Sequence, residues 1–222
     1  MFAIFSAGLA PVMALMSFFY LKDRFSDPLF LIFRTFIYGA LLVFPIMFIK
    51  YVLETEAISD SRLVHSYLYV ALLEEFFKWF IFVYTIYHHS EFDEHYDGIV
   101  YGVAISLGFA SVENILYLIT NGVEYAVVRA VFPVSSHALF GVIMGYHFGI
   151  AKVLKRKENR NIALALFLPF ILHGTYNYIL ETLTSNWLVL LAPFMVVLWI
   201  IALRRVKSAT TDQSINLTGR HP

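Results

Sequence analysis

Long runs of apolar residues alternate with short polar connections along the chain. Several runs reach the roughly 20 residues that a helix needs to cross a bilayer, and the alternating pattern of a transmembrane barrel is absent. The pattern predicts an all-α polytopic transmembrane helix bundle of about seven spans, forming one domain over residues 1–207. The predicted spans are residues 2–21, 29–50, 63–87, 98–119, 130–151, 162–181 and 187–203. The polar residues 208–222 are predicted to form a disordered tail.

Basic residues are concentrated in three of the polar segments. These are the connection after the first span, the connection from Lys152 to Arg160, and the segment from Arg204 to Lys207. Because short basic connections stay in the cytoplasm, all three are predicted to lie inside. Seven spans with the N-terminus outside and the C-terminus cytoplasmic satisfy this condition.

Composition restricts the chemistry that the chain can perform. The 222 residues are 59% hydrophobic and 14% charged, and the formal net charge is zero, so no nucleic-acid partner is indicated. The absence of cysteine excludes disulfides, thiolate nucleophiles and thiolate-bound metals.

Two adjacent carboxylates and an ammonium group interrupt the third span, in the stretch Glu74-Glu75-Phe76-Phe77-Lys78. A charge near the bilayer centre costs roughly 2.5–3.5 kcal/mol, so three at one depth must be paired or face a wet cavity. A structural Glu–Lys pair would leave the other carboxylate unexplained, and we therefore interpret the stretch as an active site. Glu74 and Lys78 are four residues apart on one helix face, which predicts that they pair and leave Glu75 free.

Three later spans carry polar groups at a similar predicted depth. At 1.5 Å per residue, Glu113, His137 and His173 lie roughly 10–12 Å from the outer ends of their spans, and Glu74 roughly 16 Å from its own. Asn114 adjoins Glu113, Asn177 follows His173 by one helical turn, and Gly141 and Gly145 would let another helix approach the face of His137. We expect these groups to line one site, although interhelical hydrogen bonding is an alternative role for Asn114 and the histidines.

Glutamate, histidine and asparagine are sufficient for peptide hydrolysis by an activated water. The carboxylate deprotonates water, the imidazole holds the water or protonates the leaving amine, and the amide donates to the developing oxyanion. A zinc site of His137, His173 and Glu75 or Glu113 is the alternative mechanism, although no H-E-x-x-H helix is present. A proton-coupled membrane carrier or a non-catalytic peptide-binding membrane protein could use similar buried polar groups. The lack of an internal repeat argues against the carrier.

Five short motifs, in order along the chain, resemble the PrsW family of intramembrane proteases, which is related to the CAAX prenyl endopeptidases. They are E-E-F-F-K at 74–78, D-G-I-V-Y-G at 97–102, G-F-A-S-V-E-N-I-L-Y at 108–117, His137 with its glycines, and H-G-T-Y-N at 173–177. The resemblance implies catalytic roles for Glu74, Glu75, His137 and His173, and an oxyanion-side role for Asn177. We expect Lys78, Glu113 and Asn114 to support them, without a metal or other cofactor.

The resemblance also implies the reaction and its setting. PrsW proteases are implied to make the first, extracytoplasmic (site-1) cut in a membrane-anchored anti-sigma factor during a stress response. The chain is therefore expected to be a multi-pass protein of a bacterial cell membrane. Its partners would be a membrane-anchored protein substrate and the lipid bilayer.

Overall fold

The computed structural model describes residues 1–23, 27–56, 59–183 and 185–218, with side chains to residue 212, and these ranges contain helices but no β-strand. The helices are α1 Phe2–Tyr20, α2 Leu29–Leu41, α3 Val43–Thr55, α4 Arg62–Val64, α5 Leu73–Thr85, α6 His95–Asn121, α7 Ala126–Arg129, α8 Ser135–Lys152, α9 Glu158–Thr182 and α10 Trp187–Thr218. A π-helical segment, π1 (His65–Leu72), joins α4 to α5, and another, π2 (Ala130–Val134), joins α7 to α8. The all-α prediction is confirmed.

Within the described residues, six helical stretches are long and apolar enough to cross a membrane. They are Phe2–Tyr20, Leu29–Thr55, His95–Asn121, Val123–Lys152, Glu158–Thr182 and Trp187–Asp212. Each contains or overlaps a predicted span, so the polytopic helical bundle is confirmed. The remaining predicted span, residues 63–87, is helical from Arg62 to Thr85 but is divided into α4, π1 and α5. The total of seven spans and the orientation stay predictions.

Helix α6 lies at the centre of the bundle and is buried along most of its length. Gly98 and Gly102 of α6 face Gly145 and Gly141 of α8, and a Cβ added at Gly145 would overlap the carbonyl oxygen of Gly98. Small residues at four-residue intervals allow two helix backbones to approach this closely. The approach of a helix to the glycine face of α8 was predicted, and α6 is that helix.

Helix α2 packs on another side of α6, where glycines again allow the two backbones to approach closely. A Cβ at Gly39 would overlap the carbonyl oxygen of Ile105, and a Cβ at Gly108 would overlap that of Phe36. The chain then turns at Leu42, and α3 contains Pro45, which cannot donate a backbone hydrogen bond to the preceding turn. Leu42 keeps a right-handed helical backbone, so α2 and α3 together form the stretch Leu29–Thr55.

Helix α10 continues past the predicted domain end at residue 207. His95 Nδ1 lies 2.7 Å from Asp212 Oδ2, and Tyr146 Oη lies 3.3 Å from Ser208 Oγ, so the extension is held against α6 and α8. The tail predicted to be disordered from residue 208 is thus helical to Thr218, and residues 219–222 lie outside the described residues.

Candidate active site

Glu74 and Glu75 lie in the first turn of α5, directly after π1, and both are buried together with Lys78. Lys78 Nζ donates to Glu75 Oε1 at 2.8 Å and lies 3.7 Å from Glu74 Oε2. The prediction that Lys78 pairs mainly with Glu74 is wrong. Residues three apart on a helix also share a face, and Glu74 has a different cation as its partner.

That partner is Lys50 of α3, whose Nζ donates to Glu74 Oε1 at 2.9 Å. Each carboxylate of the pair therefore has its own ammonium group, which compensates its charge in a buried site. Lys50 was missed because it stands at the end of a predicted span. A signal was present, since a lysine at the predicted outer end of a span departs from the positive-inside distribution.

His173 of α9 is oriented by Glu75. Its Nδ1 lies 2.9 Å from Glu75 Oε1. Because a carboxylate oxygen accepts, Nδ1 carries the proton, and in the neutral ring Nε2 carries the lone pair. Nε2 lies 3.9 Å from Glu74 Oε2. The ring of Phe140 stacks on the imidazole at a centroid distance of 5.0 Å and restricts its rotation.

His137 of α8 is held from both sides. Its Nδ1 lies 3.2 Å from Lys78 Nζ, and its Nε2 lies 3.2 Å from Glu113 Oε2. Because an ammonium group only donates, Nδ1 accepts, and the Nε2–H donates to Glu113. Arg129 approaches the same Glu113 oxygen, with its Nη2 at 3.6 Å. Like Lys50, Arg129 was not predicted as a site residue, because it lies just before a predicted span.

The two predicted asparagines lie in different surroundings. Asn114 Nδ2 donates to the carbonyl oxygen of Gly8, and its Oδ1 accepts from Arg129 Nε at 2.7 Å. These bonds tie α6 to α1 and α7, so Asn114 acts as an interhelical link. Asn177 lies one turn after His173, and its Nδ2 is buried without a hydrogen-bond partner among the described residues.

Four residues of the site are possible metal ligands. Glu74, Glu75, His137 and His173 each offer a ligand atom, and these atoms lie within 4.8 Å of one another. Two imidazoles and a carboxylate are typical zinc ligands. However, Lys78 Nζ is hydrogen-bonded to Glu75 Oε1 and to the accepting nitrogen of His137. A dication among these ligands would face a fully buried ammonium group, which disfavours a metal ion beside Lys78.

A groove of about 450 Å³ lies between α3 and α6. Lys50 and Glu113 both line it, and they contact Glu74 and His137 respectively. Apart from these charges, its walls carry Met47, Leu116 and Tyr117 among others. The groove is thus amphipathic and borders two residues that contact the buried cluster.

Comparison with known proteins gives consistent matches. Residues 27–203 match the family model described as PrsW family intramembrane metalloprotease. A protein described as Protease PrsW from Oceanobacillus iheyensis is 59% identical over 216 residues, covering 97% of this chain and 100% of the relative. A protein of the same description from Bacillus subtilis is 52% identical over 219 residues, covering 98% and 99% of the two chains. No solved structure matches significantly.

The matched ranges extend far beyond the five motifs and cover the positions of the dyad, both histidines and the apolar helices around them. They confirm the resemblance, and with it a multi-pass membrane location. The chain belongs to the PrsW family of intramembrane proteases.

Proposed function

We propose that the protein is a glutamate-dependent intramembrane endopeptidase in which Glu74 activates the attacking water. The observation that carries this proposal is the pair of acceptors formed by Glu74 Oε2 and His173 Nε2, which are 3.9 Å apart. Glu74 Oε2 is buried and has no hydrogen-bond partner within the described part of the chain. A water molecule about 2.8 Å from each atom would bridge them.

The reaction then needs no covalent intermediate. Glu74 removes a proton from the water while His173 Nε2 orients it through the second hydrogen, and the oxygen attacks the scissile carbonyl carbon. The carbonyl oxygen takes up negative charge, and the unpartnered Nδ2 of Asn177 is the candidate donor to it. When the C–N bond breaks, the protonated Glu74 returns its proton to the leaving amine.

Glu75 acts as a positioning residue in this scheme. Its Oε1 accepts from both Lys78 and His173 Nδ1. The second bond selects the His173 tautomer in which the Nε2 lone pair faces Glu74. Lys78 also bonds to His137, so one ammonium group connects α5 to α8 at the base of the site.

The family description includes a metal, whereas the arrangement of Lys78 favours a metal-free reaction. We infer that the buried ammonium supplies the positive charge that a dication would supply in a metalloprotease. Purified active protein is therefore expected to contain less than stoichiometric zinc by elemental analysis and to keep its activity in the presence of a chelator. Stoichiometric zinc together with loss of activity on chelation would show that the metal mechanism is correct.

The substrate proposed from the family resemblance is a membrane-anchored anti-sigma factor. The groove between α3 and α6 supports an extended peptide as the bound form, since it is lined by Lys50 and Glu113, which contact Glu74 and His137. A cut at the outer side of the membrane follows from the predicted topology.

The test is cleavage of single-span anti-sigma factors by purified protein, with the cut mapped by mass spectrometry. Glu74→Gln is expected to lower the rate at least 100-fold, the lower range for loss of a general base. Glu91→Gln, at an exposed carboxylate in the connection before α6, is the matched control and should cleave normally. Wild-type cleavage by Glu74→Gln would refute the assignment, and proton flux into liposomes without cleavage would favour the carrier.

A further inference from the structure

A separate cavity of about 520 Å³ lies at the other end of α8, beside the connection to α9. His147 of α8 lines it, ten residues or about 15 Å along the helix from His137. Its other polar lining groups are Arg156, Lys157, Arg160 and Asn161. Three of the seven lining residues are therefore cations, and the cavity is remote from the dyad.

These three cations are not used for internal ion pairs. Among the described residues, no carboxylate lies within 4.0 Å of the charged groups of Arg156, Lys157 or Arg160. The carboxylate of Glu158, which is the acidic residue of this connection, accepts instead from the hydroxyl of Tyr87 at 2.9 Å. The positive charge at the cavity is therefore uncompensated within the described structure.

The connection is held in a defined shape by Asn161. Its Nδ2 donates to the carbonyl oxygens of Arg156 at 2.7 Å and Lys157 at 3.4 Å. Its Oδ1 must then accept, so His147 Nδ1, at 2.9 Å, carries the proton. Lys157 has a left-handed backbone, with φ of 44°, which turns the chain into α9.

This bond leaves the other nitrogen of His147 without a partner. His147 is only 6% exposed, and its Nε2 is buried with no hydrogen-bond partner in the described ranges. In the neutral ring this nitrogen is an acceptor. A ligand that fills the cavity would therefore place negative oxygens at the arginines and a hydroxyl group at His147.

We propose that this cavity binds a phosphate group with a neighbouring hydroxyl, as in the headgroup of phosphatidylglycerol. Guanidinium groups bind phosphate oxygens in a bidentate manner, and a glycerol hydroxyl can donate to His147 Nε2. The connection joins two apolar helices at the basic end of the bundle, so its cations lie at the level of lipid headgroups. Free inorganic phosphate offers the same oxygens and a P–OH donor, and it is the alternative ligand.

The experiment uses the full-length protein in mixed micelles with phosphatidylglycerol or phosphatidylcholine, and counts bound lipids by native mass spectrometry. Loss of the hydrogen bonds from one guanidinium group to a phosphate weakens binding roughly tenfold. The double variant Arg156→Gln with Arg160→Gln is therefore expected to bind phosphatidylglycerol about 100-fold more weakly. If that variant is not recovered folded, Arg160→Gln alone should show about a tenfold loss.

The matched control removes two positive charges at the same end of the bundle but outside the cavity. Lys155 and Arg204 are exposed and lie outside the cavity lining. Lys155→Gln with Arg204→Gln should keep wild-type binding, and an equal loss in both double variants would overturn the proposal. Binding of inorganic phosphate without preference for phosphatidylglycerol would identify free phosphate as the ligand, whereas binding of neither ligand would refute the site.

Discussion

Replacement of Lys50 by glutamine tests whether Glu74 must be held in place to act as the base. Lys50 Nζ donates to Glu74 Oε1 at 2.9 Å, and the side chains are 23% and 2% exposed. A hydrogen bond to a charged group contributes about 1.5–3 kcal/mol. Lys50 is partly solvated and Lys78 lies 3.7 Å from Glu74 Oε2, so the lower part of that range applies. A loss of about 1.5–2 kcal/mol corresponds to a 10- to 30-fold fall in rate.

The assay measures kcat and KM separately for cleavage of one substrate by wild-type protein and by Lys50→Gln, Lys50→Arg and Arg62→Gln. Because Lys50 positions the base, the loss is expected mainly in kcat, and arginine should restore much of it. Arg62 is an exposed cation at the start of α4 and serves as the control for removal of one charge. If Lys50→Gln cleaves at the wild-type rate while Glu74→Gln is inactive, the positioning argument is refuted.

Three further predictions concern the packing, the pH dependence and the second histidine. Gly145→Ala would place a methyl group on the carbonyl oxygen of Gly98, and we expect about 1–3 kcal/mol of destabilisation from overpacking, measured by thermal unfolding in detergent. Burial raises the pKa of Asp27 from 3.8 to about 7, so the folded state holds the proton and stability should fall as the pH rises from about 4 to about 7. Asp27→Asn should weaken this dependence and raise the unfolding free energy at pH 8 by up to about 4 kcal/mol. Glu113→Leu should lower kcat at least tenfold, because His137 loses its acceptor, whereas Glu113→Gln should retain most activity.

Each of these predictions has a control. Ala163→Val adds volume at an exposed position of α9, and equal destabilisation there would contradict the close packing of α6 on α8. Asp60→Asn removes an exposed carboxylate, and the same change in pH dependence would show that Asp27 is not the group responsible. Equal activity of Glu113→Leu and Glu113→Gln would contradict a role for the hydrogen bond to His137.

The hydrophobic runs were sufficient to predict the helices and the all-α membrane bundle that they form. A bilayer-spanning helix needs only length and apolar composition, both of which are local properties of the sequence. The glycine face at Gly141 and Gly145 likewise predicted a close helix neighbour, because the space that a missing side chain leaves is also local. The identity of that neighbour, α6, depends on the whole topology and required the structure.

The cost of burying charge pointed to Glu74 and Glu75, and the depth of the polar residues within their spans added the two histidines. Their catalytic roles stay a prediction. The pairing within the site was not predictable in the same way, because Lys78 can reach a carboxylate three or four residues earlier. The choice depends on Lys50, which arrives from α3 and binds Glu74. Distant partners such as Lys50 and Arg129 lie at the edges of the predicted spans, where a cation is ordinarily solvated and carries little signal.

The π-helical segments were not predictable either, because their residues have the same apolar composition as the α-helices around them. Segment π1 ends at Leu72, immediately before the turn that carries Glu74 and Glu75, and π2 ends at Val134, three residues before His137. π-helical turns occur frequently at functional sites.

Their position has a consequence for insertions and deletions. Each residue of an α-helix advances the chain by about 100° around its axis. Deleting one residue from His65–Leu72 would therefore rotate the dyad away from His173 while leaving its sequence intact. The number of residues in these segments therefore helps to set the direction in which the carboxylates and His137 face. A polar substitution at the exposed Leu68 should be tolerated, whereas deletion of that residue should abolish cleavage.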